Sequence, residues 1–211
     1  MLDQMKRLLI NLREQRPLIH HITNDVVTNF TANGTLSVGA SPVMASEPKE
    51  AADMVTHARA LVLNTGTMTD QTIEAMHRAG QAANRRNITV ILDPVGFGTT
   101  TYRNEMIRQL LNDIRISVVR GNAAEIAGLS GVAWGQKGVD ADEDGGNRAE
   151  LAYAFVERYG ISVAVTGKQD IVTDGKRTIY INNGHPLLSY ITGSGCQATS
   201  MIAAFHGVTD D

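Results

Sequence analysis

Cysteine is almost missing from this chain: one residue, Cys196, in 211. A single thiol excludes an intramolecular disulfide framework and any zinc centre built from several cysteines. Charge of one sign is missing too. The 19 Lys and Arg stand against 22 Asp and Glu, a net charge of −3. That balance argues against the basic surface that nucleic acid or an anionic membrane requires. Long apolar runs are also absent. The opening stretch MLDQMKRLLINLREQ holds neither a signal-peptide core nor a membrane span, so the expected location is the cytoplasm. Aromatics are scarce at 5%, and without a basic and aromatic cluster a nucleic-acid role is the weakest reading. What remains is a globular composition, 43% apolar and 19% charged. A chain of this length buries roughly 70–75% of its unfolded surface, and one domain over residues 1–211 is expected.

Short apolar runs alternate with helix-like stretches. The runs are Leu18-Ile19, Ala60–Leu63, Ile88–Leu92, Ile116–Val119 and Ile161–Val165. Several are apolar on both faces, as strands of a buried parallel sheet are. The opening stretch has Leu2, Met5, Leu8, Leu9 and Leu12 at helical spacing, which predicts an amphipathic helix packed on the core or on a sister subunit. Thr23-Asn24-Asp25 offers capping groups for the next helix, and Pro48 suits a first helical position. Further helices are expected near 70–86, 102–112, 122–129 and 147–159. Asp170–Thr173 and Arg177–Ile181 flank Asp174-Gly175-Lys176, the pattern of an antiparallel hairpin whose turn takes positive-φ residues from Asp-Gly. The acidic loop Asp140–Asp144 lacks the spacing and closing Glu of an EF-hand and reads as a solvated connection. Together these elements predict an α/β fold, a mainly parallel sheet with helices on both faces and a C-terminal edge hairpin.

In such folds ligands sit beyond the carboxyl ends of the strands. Asp93-Pro94-Val95-Gly96 follows one run. Arg120-Gly121-Asn122 follows another, with Glu125 one helical turn on, and Thr166-Gly167-Lys168 follows a third. Two carboxylates, an arginine and a threonine on one rim suit a nucleoside triphosphate with Mg²⁺: carboxylates hold the hard cation, and Arg neutralises phosphate. Each feature alone has a plainer reading, respectively a turn, a solvated ion pair, and a first-turn charge that complements a helix dipole. Thr192-Gly193-Ser194-Gly195-Cys196-Gln197-Ala198 is the sharpest segment. Glycines before a helix let amides converge on an anion. Cys196 in that first turn is expected to have a lowered thiol pKa, against the alternative of a buried small hydrophobe.

Two look-alikes fail. The dinucleotide fingerprint G-x-G-x-x-A belongs early in a βαβ unit, with an acidic residue about 20 residues on, and here the chain ends first. The P-loop's Gly-Lys-Ser/Thr is absent. A cysteine-protease reading would need a partner among His20, His21 and His185, which sequence alone cannot pair with Cys196.

The sequence resembles the hydroxyethylthiazole kinases, ribokinase-like enzymes of thiamine salvage. The resemblance is carried by Pro17-Leu18-Ile19-His20-His21-Ile22-Thr23-Asn24, Gly39–Ala45, Asn64-Thr65-Gly66-Thr67, Asp93-Pro94-Val95-Gly96, Arg120–Ile126, Val165-Thr166-Gly167 and Thr192–Cys196. It implies ATP-dependent phosphorylation of the primary alcohol of 4-methyl-5-(2-hydroxyethyl)thiazole. By matching position it implies that Met44 and Gly193 contact the thiazole and that Arg120 and Thr166 contact ATP. Asp93 and Glu125 would serve Mg²⁺ and the phosphates, and Cys196 would stand where most ribokinase-like kinases carry a catalytic Asp. It further implies a homotrimer with the thiazole site between subunits. Family members continue with more helices where this chain reads Phe205–Asp211, so an uncovered sheet face with an apolar patch is expected. Other readings of the same pattern are a hydroxymethylpyrimidine kinase, an ATP-dependent hydrate dehydratase, or a non-catalytic ligand-binding remnant.

Overall fold

The computed structural model describes residues 2–132 and 146–209. The acidic loop Asp140–Asp144 lies outside them. The apolar runs become strands β1 (Leu18–Ile22), β2 (Ser41–Val43), β3 (Ala60–Asn64), β4 (Thr89–Asp93), β5 (Val118–Asn122), β6 (Ser162–Thr166), β7 (Asp170–Thr173) and β8 (Thr178–Ile181). They form one sheet in the order β2-β1-β3-β4-β5-β6-β7-β8. Neighbours from β2 to β6 pair in parallel, and the β7–β8 hairpin closes that edge antiparallel. The helices are α1 (Leu2–Gln15), α2 (Thr28–Val38), α3 (Pro48–Met54), α4 (Asp70–Arg85), α5 (Thr101–Asp113), α6 (Ala123–Ser130), α7 (Gly146–Tyr159) and α8 (Ser194–His206).

Strand alternation divides the core in two. Leu61, Leu63, Val90, Leu92 and Val119 pack under α3–α7. Ala60, Val62, Ile91 and Val118 face the other way, against Leu12 of α1 and Ala203 and Ala204 of α8. Right-handed crossovers account for the division. The chain steps from β1 outward to β2, then crosses back to β3 and onward, so α2 falls on the face opposite α3–α7. This reversal beside β1 and β3 is the kind of switch point that opens a ligand crevice at the carboxyl ends of strands.

Local chemistry sets the helix ends. Glu47 caps α3 by accepting from the Lys49 amide, with Pro48 at the first position. Thr69 and Thr72 make a reciprocal capping box on α4. Asn122 and Glu125 do the same on α6, which ends at left-handed Gly131.

The structure corrects several expectations. α2 starts at Thr28 behind Val27, which makes no side-chain cap; the Asn24 amide is drawn instead to Asn64 and Cys196. The run expected at Ile116–Val119 shifts to Val118–Asn122 because Val118 and Val119 pair with β4. In the hairpin turn only Gly175 takes positive φ, while Asp174 accepts from the amides of Lys176 and Arg177. α1 buries Leu12 but leaves Leu2 and Met5 more than half exposed, so its apolar stripe is only partly covered. The short strand β2 and the 3₁₀ turn Pro186–Tyr190 lack the periodicity that would have announced them. On β8, Ile179 and Tyr180 are exposed, as are Leu187, Leu188, Tyr190 and Ile191 beyond it. Among the described residues no helix is long and apolar enough to cross a membrane.

Candidate active site

Register brings the rim residues together. Asn64 on β3 is paired with Asp93 on β4, and Arg120 on β5 is paired with Ala164, two residues before Thr166 on β6. Parity puts Asn64, Asp93 and Arg120 on the face that α8 covers.

Asp93 is the centre of the arrangement and is fully buried. Its Oδ2 accepts from Asn64 Nδ2 at 2.8 Å and from Thr199 Oγ1 at 2.8 Å. Its Oδ1 lies 3.7 Å from Arg120 Nη1 and has no hydrogen-bond donor. Burial raises its pKa to about 6; Arg120, Thr199 and Asn64 oppose the rise, and the Glu125 charge adds to it. Arg120 also donates through Nη2 to Thr166 Oγ1. A Cβ at Gly195 would run into the Arg120 guanidinium, so glycine there lets the side chain lie against the start of α8.

Glu125 does a different job. Its Oε1 accepts from the Gly96 amide at 2.9 Å and its Oε2 from the Asn122 amide at 2.8 Å. It therefore ties the Asp93-Pro94-Val95-Gly96 loop to the start of α6. Arg103 braces the same loop from the other side, donating to the carbonyls of Thr65, Gly66 and Val95.

α8 opens at Gly193, which is left-handed at φ 87 and whose Cβ, were there one, would strike Val27, the residue before α2. Helix geometry leaves the amides of the first turn without intrahelical acceptors. Cys196 stands in that turn, with its Sγ accepting from Asn24 Nδ2 at 3.7 Å. Here the expectation of a lowered thiol pKa is overturned. Burial, followed by the Asp93 charge, raises it above the ordinary value, and the amides of Asn64 and Asn24 and the charge of Arg120 compensate only in part. The thiol is protonated at neutral pH.

Beside this cluster runs a cleft of about 620 Å³, lined among others by Arg120, Thr166, Lys168, His185, Ser194 and Gly195. Its volume falls in the range of nucleotide-sized sites. Met44 is placed apart, just after β2 at the far side of β1. Three strand spacings, roughly 14 Å, separate the ends of β2 and β4. Asp93, Arg120, Thr166, Cys196 and Gly193 thus share one rim, Glu125 supports it from beneath, and Met44 follows β2, three strands along the sheet from β4.

Asn24, Asn64, Thr199 and Arg103 were missed as site residues. Asn64 ends an apolar run, as Asp93 does, and Thr199 follows Cys196 at one helical turn, so both carried a readable signal. Arg103 carried none.

With this geometry established, comparison with known proteins is informative. Residues 9–211 match the model of the hydroxyethylthiazole kinase family. A solved hydroxyethylthiazole kinase from Pyrococcus horikoshii OT3 is 39% identical, with a TM-score of 0.86 over 96% of this chain and 76% of its own. The chain belongs to the hydroxyethylthiazole kinase family. Two more distant likenesses show the shared fold alone. A phosphomethylpyrimidine kinase from Clostridium difficile 630 is 13% identical, with a TM-score of 0.63 over 92% of each chain. A Bacillus subtilis ADP/ATP-dependent NAD(P)H-hydrate dehydratase is 15% identical, with a TM-score of 0.60 over 94% of this chain and 75% of its own. Kinase chemistry and the ribokinase-like sheet accordingly go with the hydroxyethylthiazole kinase family, and the strand-end residues are the place to look for that chemistry.

Proposed function

We propose that this hydroxyethylthiazole kinase family member transfers the γ-phosphoryl group of ATP to the primary alcohol of 4-methyl-5-(2-hydroxyethyl)thiazole, in thiamine salvage. The observation that carries the reading is a cleft lined by Arg120, Thr166 and the first turn of α8, with buried Asp93 3.7 Å behind the Arg120 guanidinium. Phosphoryl transfer passes through a loose transition state, so positioning and neutralisation of charge supply most of the rate. Arg120 binds the polyphosphate, and Thr166 fixes the direction of its guanidinium. The first-turn amides of α8 face charge that develops on the transferred group.

The donor set fits Mg²⁺. Asp93 Oδ1 is a buried oxygen with no hydrogen-bond donor. Mg²⁺ favours this situation, keeping waters and substrate phosphates around one or two carboxylates. Asp93 would hold the ion directly or through water. Glu125, both of whose oxygens already accept from backbone amides, would reach it only through water. Bound there, the ion would neutralise charge on the phosphates.

The alcohol loses its proton as its oxygen bonds to phosphorus and the bond from phosphorus to the β,γ-bridging oxygen breaks. A protonated, buried Cys196 is a poor base, so its part is to orient the alcohol and relay the proton, its own S–H proton passing to an oxygen of the transferred phosphoryl group as the thiol takes up the alcohol proton. Met44 and Gly193 contact the thiazole ring. The site is completed by a second subunit, in a homotrimer. Exposed Val26, Phe30 and Leu36, on and beside α2, offer apolar surface for that contact.

The test is product identification by mass spectrometry after incubation with Mg–ATP. The expected product is the phosphomonoester of the thiazole alcohol, with none formed from a hydroxymethylpyrimidine. Phosphorylation of the pyrimidine instead, or thermal stabilisation by the thiazole without product, would sink the proposal. Cys196→Ser should lower turnover, and an unchanged turnover number removes Cys196 from the chemistry.

A further inference from the structure

We propose that His20 is a positioning residue for the substrate-binding segment after β2, acting through Met44; this rests on the reading that Met44 contacts the thiazole. His20 lies on β1 and is fully buried. It pairs in register with Val43, the last residue of β2, and shares its face with Ile22, which packs under α3–α7. Its Nε2 stands 2.7 Å from the carbonyl oxygen of Ala45, across 25 residues of sequence.

Chemistry fixes the direction of that bond. A carbonyl only accepts, so Nε2 carries the proton and donates. Burial lowers the imidazole pKa, with the Ala45 carbonyl and the Glu50 charge opposing only in part, so the ring is neutral. A neutral ring with its proton on Nε2 has a bare lone pair on Nδ1. That atom is buried without a donor. An apolar side chain would fill this space without leaving a polar atom unsatisfied. What histidine adds here is the single bond to Ala45.

The segment it holds is short. Met44, Ala45 and Ser46 connect the end of β2 to Glu47, the cap of α3. The His20 bond is the only side-chain hydrogen bond to residues 44–46 among the described residues. With Ala45 anchored to the middle strand of β2-β1-β3, the preceding residue is held at a fixed height above the strand ends. Released, Met44 would lose its position relative to the thiazole, while the nucleotide end at Arg120 and Thr166, four and five strands along the sheet from β2, would not feel the change. His21 points to the other face and has no such link: its Nδ1 reaches only the Ile19 carbonyl on its own strand.

The experiment measures KM for the thiazole alcohol and KM for ATP separately, in wild type and three variants. His20→Leu removes the donor and should raise the thiazole KM about ten-fold while the ATP KM moves less than about two-fold. In His20→Gln the side-chain amide nitrogen falls near the Nε2 position, and the thiazole KM should return toward wild type. His20→Asn ends short of Ala45 and should behave as Leu does. An unchanged thiazole KM in His20→Leu, or a parallel rise in both KM values, overturns the proposal. Should the leucine variant fail to fold, the asparagine and glutamine variants decide: equal thiazole KM values in the two overturn it. Wild-type protein without thiazole-dependent turnover fails the underlying reading and takes this one with it. Normal wild-type turnover with indifferent variants fails this one alone.

Discussion

Removing the Thr199 hydroxyl should destabilise the protein in a pH-dependent way. Thr199 is fully buried on α8 and donates to Asp93 Oδ2 at 2.8 Å. Thr199→Val keeps the shape and removes the donor. A hydrogen bond to a charged acceptor is worth about 1.5–3 kcal/mol, so the loss should be about 2 kcal/mol whenever Asp93 is ionised. Burial raises the pKa of Asp93 to about 6 in the folded protein from an ordinary 3.8. The folded state therefore binds the proton more tightly than the unfolded state. The associated stability is fully present below about pH 4 and is lost as pH rises through about 6. Removing the Thr199 donor pushes the carboxyl higher still. The variant should thus fall about 2 kcal/mol below wild type at pH 8 and much less at pH 5, where Asp93 is mostly protonated in both. At this chain length that corresponds to a melting-temperature difference of about 4–8 °C at pH 8. Urea titrations at both pH values, in EDTA, read it directly. An equal loss at pH 5 and pH 8 would refute the reasoning, because it would mean that the hydroxyl served packing rather than the carboxylate.

The cluster around α8 makes three more predictions. Gln197 has both side-chain amide atoms buried without partners and lies against Gly34 of α2, so Gln197→Leu should stabilise the chain by about 1 kcal/mol, read as a higher denaturation midpoint; a destabilised variant contradicts this. Burial and Asp93 raise the Cys196 thiol pKa, so the rate of alkylation against pH, in EDTA, should have its midpoint above the ordinary thiol value, and a midpoint below it would restore the activated-thiolate reading. Gly195→Ala places a Cβ against the Arg120 guanidinium and should raise the KM for ATP about ten-fold or more, with an unchanged value showing that Arg120 moves aside without cost.

Much of this fold was legible because strands buried on both faces are unbroken apolar runs, as at Leu61–Leu63 and Val90–Leu92. The rim followed from one rule, that ligands gather where such runs end, and it led to Asp93, Arg120 and Thr166. Two kinds of feature stayed hidden. Asn24 has the composition of a helix cap, and only the tertiary contact with Asn64 and Cys196 shows that its amide is spent elsewhere. The thiol of Cys196 has the helix-terminus setting that lowers a pKa, yet burial and a neighbouring carboxylate push it up, and neither is visible along the chain. Glu125 shows a third limit. Its spacing from Asn122 suits a capping box as well as a cation ligand, and only the structure shows that both of its oxygens accept from the amides of Gly96 and Asn122.

The central claim is that the strand-end cluster transfers phosphoryl groups to a thiazole alcohol. Its most direct test is ADP release from the purified chain with Mg–ATP, with and without the hydroxyethyl thiazole, in wild type and in Asp93→Asn. The account predicts release that depends on the thiazole in wild type and falls by at least about 100-fold in Asp93→Asn. Thiazole-independent release, or equal turnover in the two proteins, would contradict it.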